Sequence, residues 1–300
     1  MTLAETLSVA AILLLPLSPA AAQALPPPPA AAPASPWADT LDEGIARARN
    51  LRSRQILVSL SGKDCGPCDR MDALILPARA FDTLFEGVAL VRLDWDSPDA
   101  KTIAERYQIS APPAWVWLTA DGLLVGLAGG SSSQAQWFEA MGATQAAWQK
   151  YQAKLDREKA DPSDRALVYE VAVETWKRGG EEAAEARFRR LAADPKAPAS
   201  TRSGSLAYLA TIELDRGRAN AAEVFLKELL ATSEDPAMKE RAELRLADVQ
   251  VMKKNIPLAL QLLKKFRKDH PDSPLVAEAN KLIAALQRDP APAPAKPASK

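Results

Sequence analysis

Hydrophobic and polar positions change period partway along this chain. From Trp37 to about Ala147, short β-rich runs alternate with segments of helical period, whereas from about Asp164 to Gln287 only the helical period remains. In the first region Asp39 is placed to cap a helix running to Asn50, with Leu41 and Ile45 on one face. Ile56 to Leu60 forms a short strand. Cys68 to Phe85 reads as one helix, with Met71, Leu74 and Ile75 as inward candidates and a kink at Pro77. Val88 to Leu93 is a second strand, apolar enough to be buried on both faces. A short helix over Ala100–Tyr107 leads to a third strand, Ala114–Leu118. Ala120-Asp121-Gly122 then turns the chain into a fourth strand at Leu123–Gly126. Ser133 to about Glu158 continues as a long helix. Strands alternating with helices and closing on a hairpin predict an α/β sandwich around one mixed sheet.

The second region repeats itself with a period near 37 residues. Ala172, Ala210 and Ala247 open matching stretches, and Gly180, Gly217 and Asn255 mark the turns that follow. Ala184, Ala221 and Ala259 then precede Phe188, Phe225 and Leu263, each by one helical turn. A small residue followed by a large one at that spacing lets antiparallel helices approach and interlock. Pro195, Pro236 and Pro271 close the units, and Leu275–Leu286 is placed as a terminal capping helix. Helix–turn–helix units of this length stack into a short solenoid.

The ends differ in kind. Leu7–Leu17 is an apolar run of leader-peptide length, and the small residues after it offer a cleavage site behind Ala22. The segment before it carries Glu5 and neither Lys nor Arg, unlike a usual leader. Residues 1–22 are therefore read as a cleaved signal peptide and 23–36 as a Pro/Ala-rich linker. Residues 37–147 are the α/β domain, 148–163 a connecting helix, 164–287 the helical repeats, and 288–300 a Pro/Ala-rich tail. Cleavage would leave a periplasmic or secreted protein without a membrane anchor. Acids and bases balance at 38 each, so no nucleic-acid partner is indicated.

The candidate chemistry sits in Cys65-Gly66-Pro67-Cys68, which holds the only two cysteines. Two thiols separated by two residues can close a small disulfide ring and deliver two electrons on opening it. The rival readings are half a zinc site and an inert buried pair. Zinc wants four ligands, and the one histidine, His270, lies far along the chain in an expected turn. Neither a metal nor a cofactor is expected. Trp115 and Trp117 read as packing residues on one strand face. The clusters Arg187/Arg189/Arg190 and Lys264/Lys265/Arg267/Lys268 read as solvated helix faces.

With these elements in order, the first region resembles the thioredoxin family. The strand Ile56–Leu60, the CGPC motif opening a helix, the strand ending near Asp94 and Tyr107–Pro113 carry the resemblance. The second region resembles tetratricopeptide repeats. Together they imply an α/β thioredoxin-like sandwich followed by an all-α helical-repeat (tetratricopeptide-like) domain. The resemblance makes Cys65 the attacking thiol and Cys68 the resolving one. A helix N-terminus favours thiolate at Cys65, which fits that order. It also places Gly66, Pro67, Pro112 and Pro113 in substrate binding, with Pro113 as a cis-proline facing the disulfide. Three positions depart from the family. Asp64 replaces its tryptophan and disfavours thiolate, an effect Lys63 partly offsets. Ser59 stands where the family buries an aspartate that helps deprotonate the resolving cysteine. Pro112 brings no N–H to the partner-binding edge.

The reading is an exported thiol–disulfide oxidoreductase that reduces protein disulfides. It requires an electron-donor protein, and its helical repeats hold a further protein partner. The alternative is a repeat-based adaptor or chaperone-like scaffold, whose thioredoxin fold serves mainly for binding.

Overall fold

In the computed structural model, residues 35–130 and 132–288 are described. The expected leader, nearly all of the linker and the tail from residue 289 lie outside them. Thr40, not Asp39, caps the first helix. Its hydroxyl accepts the Glu43 N–H, and α1 runs Leu41–Arg49. The strand β2 covers Gln55–Ser61. Pro77 breaks the next segment rather than kinking it, leaving α2 (Gly66–Ile75) and α3 (Arg79–Leu84). Met71 and Ile75 are buried, but Leu74 is 44% exposed and does not point inward. Strand β3 (Ala89–Asp94) alternates buried and half-buried positions, because Arg92 occupies one of its faces. The remaining elements of this half are α4 (Pro98–Arg106), β4 (Ala114–Thr119) and β5 (Leu124–Gly129).

A two-residue strand, β1 (Trp37–Ala38), has no counterpart in the hydrophobic pattern. It completes a five-stranded sheet of order β1-β3-β2-β4-β5. The β1–β3 and β3–β2 pairs are parallel, and the β2–β4 and β4–β5 pairs are antiparallel. Val58, Val91 and Val116 bury one face beneath α1 and α4. Leu57, Trp115 and Trp117 line the other, against α2, α3 and α5 (Gln134–Ala160). Trp115 and Trp117 are thus core residues. Helix α5 lies close over β5 because Gly126 has no side chain; a methyl group there would stand 2.3 Å from Thr144 Oγ1.

The helical half comprises α6 (Arg165–Lys177), α7 (Glu181–Ala193), α8 (Ala199–Asp215), α9 (Ala219–Thr232), α10 (Pro236–Met252), α11 (Ile256–Asp269) and α12 (Val276–Arg288). Ala172, Ala210 and Ala247 are all buried, as are Ala184 with Phe188 and Ala259 with Leu263. The middle unit is displaced by one residue from the expected register. Ala222 and Leu226 face its core, while Ala221 and Phe225 are half-buried. Left-handed turn residues fall at Gly179, Gly217 and Lys254, one before two of the expected marks. Pro236 opens α10 at its first turn instead of closing a unit.

The described residues from Pro36 to Arg288 form one compact unit. The second sheet-face core runs without a break from the strands through Trp148 and Tyr151 of α5 to Leu167 and Val171 of α6. The α6–α7 turn is joined to the sheet's edge strand. Arg178 donates from its guanidinium to the Leu124 carbonyl at 2.8 Å, and its own carbonyl accepts the Leu124 N–H at 2.9 Å. Arg106 donates to the Gly179 carbonyl at 3.0 Å. The arginines expected on a solvated face also join helices. Arg187 forks onto buried Glu158 of α5, and Arg189 bonds Glu185 and buried Glu213.

Candidate redox site

Strand β2 ends at Ser61, and the loop beyond it delivers Cys65 as the N-cap of α2. Cys65 and Cys68 are joined by a disulfide with Cα atoms 5.2 Å apart. The Cys68 N–H points at Cys65 Sγ, 3.2 Å away. A sulfur placed there meets the unpaired N–H groups and positive end of the helix, which stabilise negative charge. Pro67 suits the first turn because it removes a donor that no carbonyl of the helix could take. Cys65 is half-buried and Cys68 is 2% exposed, so Cys65 is the more accessible sulfur.

Gly62 reveals what else lies against the disulfide. A methyl group on it would stand 3.7 Å from Cys65 Cβ, 3.8 Å from Pro112 Cγ and 3.9 Å from Trp95 Cβ. Pro112 is half-buried, Pro113 is buried, and the bond between them is cis. The Pro113 carbonyl accepts the Gly130 N–H at 2.9 Å, tying this loop to the end of β5. Lys63, Asp64 and Pro67 are exposed around the rim, and Gly66 is half-buried. Trp95 was not among the residues singled out from the sequence. Its only signal there is an aromatic residue just past the end of a strand.

A polar layer lies on the same face of the sheet as α2. Ser59, 3% exposed, is the cross-strand neighbour of Arg92 on one side and Trp115 on the other. Arg92 reaches Asp72 of α2 at 2.6 Å, with its guanidinium carbon 4.7 Å from the Trp37 ring. Asp72 follows Cys68 by one helical turn. Burial pushes its carboxyl above the usual range, the Arg92 charge works against that, and Asp69 adds to it. Ser59 thus brings only a hydroxyl to this layer, and a carboxylate enters it from α2.

Among the described residues, no group of three or more His, Cys, Asp or Glu is arranged to hold a metal ion. His270 ends α11, 3.0 Å from a Glu243 oxygen and 3.6 Å from one of Glu240, remote from the cysteine pair in the chain. No helix among the described residues is long and apolar enough to cross a membrane.

Comparison with known proteins agrees with this architecture. Residues 36–120 match the family model described as thioredoxin-like, and residues 138–278 match the tetratricopeptide repeat-like domain. The chain is similar to a thioredoxin from Thermus thermophilus known from a solution structure. That likeness has 23% identity, 35% coverage of this chain, 83% coverage of that one and a TM-score of 0.31. No curated protein matches the chain. By the two family models, the protein carries a thioredoxin-like α/β domain followed by a tetratricopeptide-like helical domain.

Proposed function

We propose that this thioredoxin-like and tetratricopeptide-like chain is an exported thiol–disulfide oxidoreductase that reduces protein disulfides through Cys65 and Cys68. The observation that carries the reading is the placement of Cys65. Its sulfur caps a helix and accepts the Cys68 N–H, while the second sulfur lies buried behind it. In the reduced protein, Cys65 thiolate attacks a substrate disulfide, forming a mixed disulfide and releasing one substrate thiolate. Cys68 then loses its proton and attacks Cys65 Sγ, forming the Cys65–Cys68 bond and releasing the second substrate thiolate. The substrate gains two electrons and the chain loses two. A donor protein must return them before another turn. Pro112, Pro113, Gly66 and Pro67 form the edge that meets the substrate, and Asp64 and Lys63 set the charge beside Cys65. Residues 1–22 serve as the export leader, 37–147 as the redox domain and 164–287 as the partner-binding array.

Reduced protein should cleave the insulin disulfides. Cys68→Ser should accumulate mixed disulfides through Cys65, whereas Cys65→Ser should accumulate none. Equal trapping by both variants, or by neither, would refute the assignment. A second reading, a binding scaffold with a vestigial redox pair, draws support from Ser59, Asp64 and Pro112. It requires an inert wild-type protein in the same insulin assay.

A further inference from the structure

Where a helix lies tight on the sheet, the fold itself demands glycine. A methyl group at Gly44 or Gly126 would run into Val91 or Thr144. Gly62 has no such reason. Its φ lies outside the left-handed region, and a methyl group on it would meet nothing nearer than 3.7 Å, an ordinary van der Waals distance. The fold would accept alanine, yet the space is left empty beside Cys65. Glycine without a conformational or packing reason suits a place where a ligand comes close to the backbone.

The notch so formed has three walls, Cys65 Cβ, Pro112 Cγ and Trp95 Cβ, and all three of these nearest atoms are carbon. Lys63 and Asp64 follow Gly62 in the chain but stand exposed on the rim. Gly62, Cys65, Trp95 and Pro112 are each half-buried, so the notch opens to solvent. Trp95 is held in place: its backbone N–H donates to the Ser61 carbonyl at 2.6 Å, and its side chain packs partly on the core beneath α1 and α4. Attack by Cys65 fixes where a substrate must lie. The new S–S bond sets the substrate cysteine Cβ about 3.8 Å from Cys65 Cβ. The residue on either side of that cysteine has its Cα only about 3.8 Å further along. A flanking side chain therefore reaches a notch centred 3.7 Å from Cys65 Cβ. Pro112 has no N–H for the substrate backbone, whereas carbon walls reward burial of an aliphatic group.

Resting on the reductase reading of Cys65 and Cys68, we propose that the Gly62 notch selects the substrate. It receives an aliphatic side chain from the residue next to the attacked cysteine and packs it against Trp95. The substrate class is a protein disulfide flanked by an aliphatic residue. The covalent step keeps its balance: the Cys65–substrate bond forms as one substrate thiolate leaves, and Cys68 then releases the other.

The test uses the reduced full chain and two short peptides, each with a single cysteine flanked on both sides by leucine or by asparagine, which is similar in size. Each peptide carries a self-quenching dye and is oxidised to its disulfide-linked dimer, so cleavage appears as fluorescence. Each kcat/KM is divided by the rate of the same dimer with dithiothreitol, which removes the peptides' own difference in reactivity. The wild type should prefer the leucine dimer about fourfold, the effect of burying one methyl group. The readout is this ratio within each variant, so any change in Cys65 reactivity cancels. Gly62→Ala fills the notch without strain and should bring the ratio close to unity; Trp95→Ala removes a wall and should lower it as well. Equal cleavage by the wild type would overturn the selection, and a ratio that survives Gly62→Ala would overturn the notch as its seat. A wild type that reduces insulin but neither dimer would also overturn the inference and leave the redox reading standing. A wild type inert toward insulin too would refute both.

Discussion

Replacing Arg178 with methionine should uncouple the helical array from the sheet at a measurable cost. The side chain is 13% exposed, and its guanidinium performs three tasks at once. It donates to the Leu124 carbonyl at 2.8 Å, bonds Glu174 at 3.0 Å, and lies 5.2 Å and 4.9 Å from the centres of the Trp148 and Tyr151 rings. A hydrogen bond from a charged donor contributes about 1.5–3 kcal/mol, and the edge-strand carbonyl is left without that donor. The two ring contacts add about 1–2 kcal/mol in a site shielded from water. Glu174 keeps Lys154 as a partner at 3.3 Å, so its charge is not stranded and little is lost there. Methionine retains the apolar stem, which leaves a net loss of about 3 kcal/mol. With a urea slope of about 3 kcal/mol per molar, the midpoint should fall by about 1 M. Tryptophan fluorescence, which reports Trp148 and the sheet face, and far-ultraviolet circular dichroism, which reports the helices, should be followed on the same samples. Coincident transitions in the wild type should separate in Arg178→Met, with fluorescence moving first. A midpoint change below about 0.3 M by both probes would show that the junction is held by the apolar core alone.

Asp64→Asn removes a carboxylate beside Cys65 and should raise the thiolate absorbance of the reduced protein near neutral pH; an unchanged or lower absorbance would refute it. Pro112→Ile restores an N–H beside the disulfide. If the missing donor limits substrate binding, insulin turnover should rise about five- to tenfold at an unchanged reduction potential, the equivalent of about 1 kcal/mol. No change would mean that Pro112 only stiffens the loop. Burial by itself would raise the Glu185 carboxyl, but hydrogen bonds and charge from Arg189 and Arg216 outweigh it and hold the group below its usual range. Its folded value is depressed, so its contribution to stability is present above the unfolded value of 4.5 and is lost as pH falls through the folded value. Urea midpoints measured from pH 6 to pH 3 should therefore decline less steeply in Glu185→Gln than in the wild type, and parallel declines would contradict the linkage.

Much of this protein was legible before any fold was known. The CGPC pair at a strand-to-helix boundary, the repeat of small and large residues, and most strands and helices are local features. They depend on side-chain period and capping chemistry within a few residues. Cys65 and Cys68 stand out by their spacing alone, whereas Pro112 and Pro113 are singled out only through the resemblance to the thioredoxin family. Local pattern failed where its signal was too short or too evenly balanced. Two residues, Trp37 and Ala38, carry no period, so β1 exists only because β3 offers it a free edge. Ala221 and Ala222 are equally small, and only packing against neighbouring helices puts Ala222 and Leu226 inside. The partners of charged side chains were hidden altogether. Arg92 finds Asp72 across 20 positions, Arg187 finds Glu158 across 29, and Arg178 finds the Leu124 carbonyl across 54. An arginine reads the same in sequence whether it faces water or a buried carboxylate. The choice follows from which surfaces the apolar core brings together, and that is a property of the folded chain.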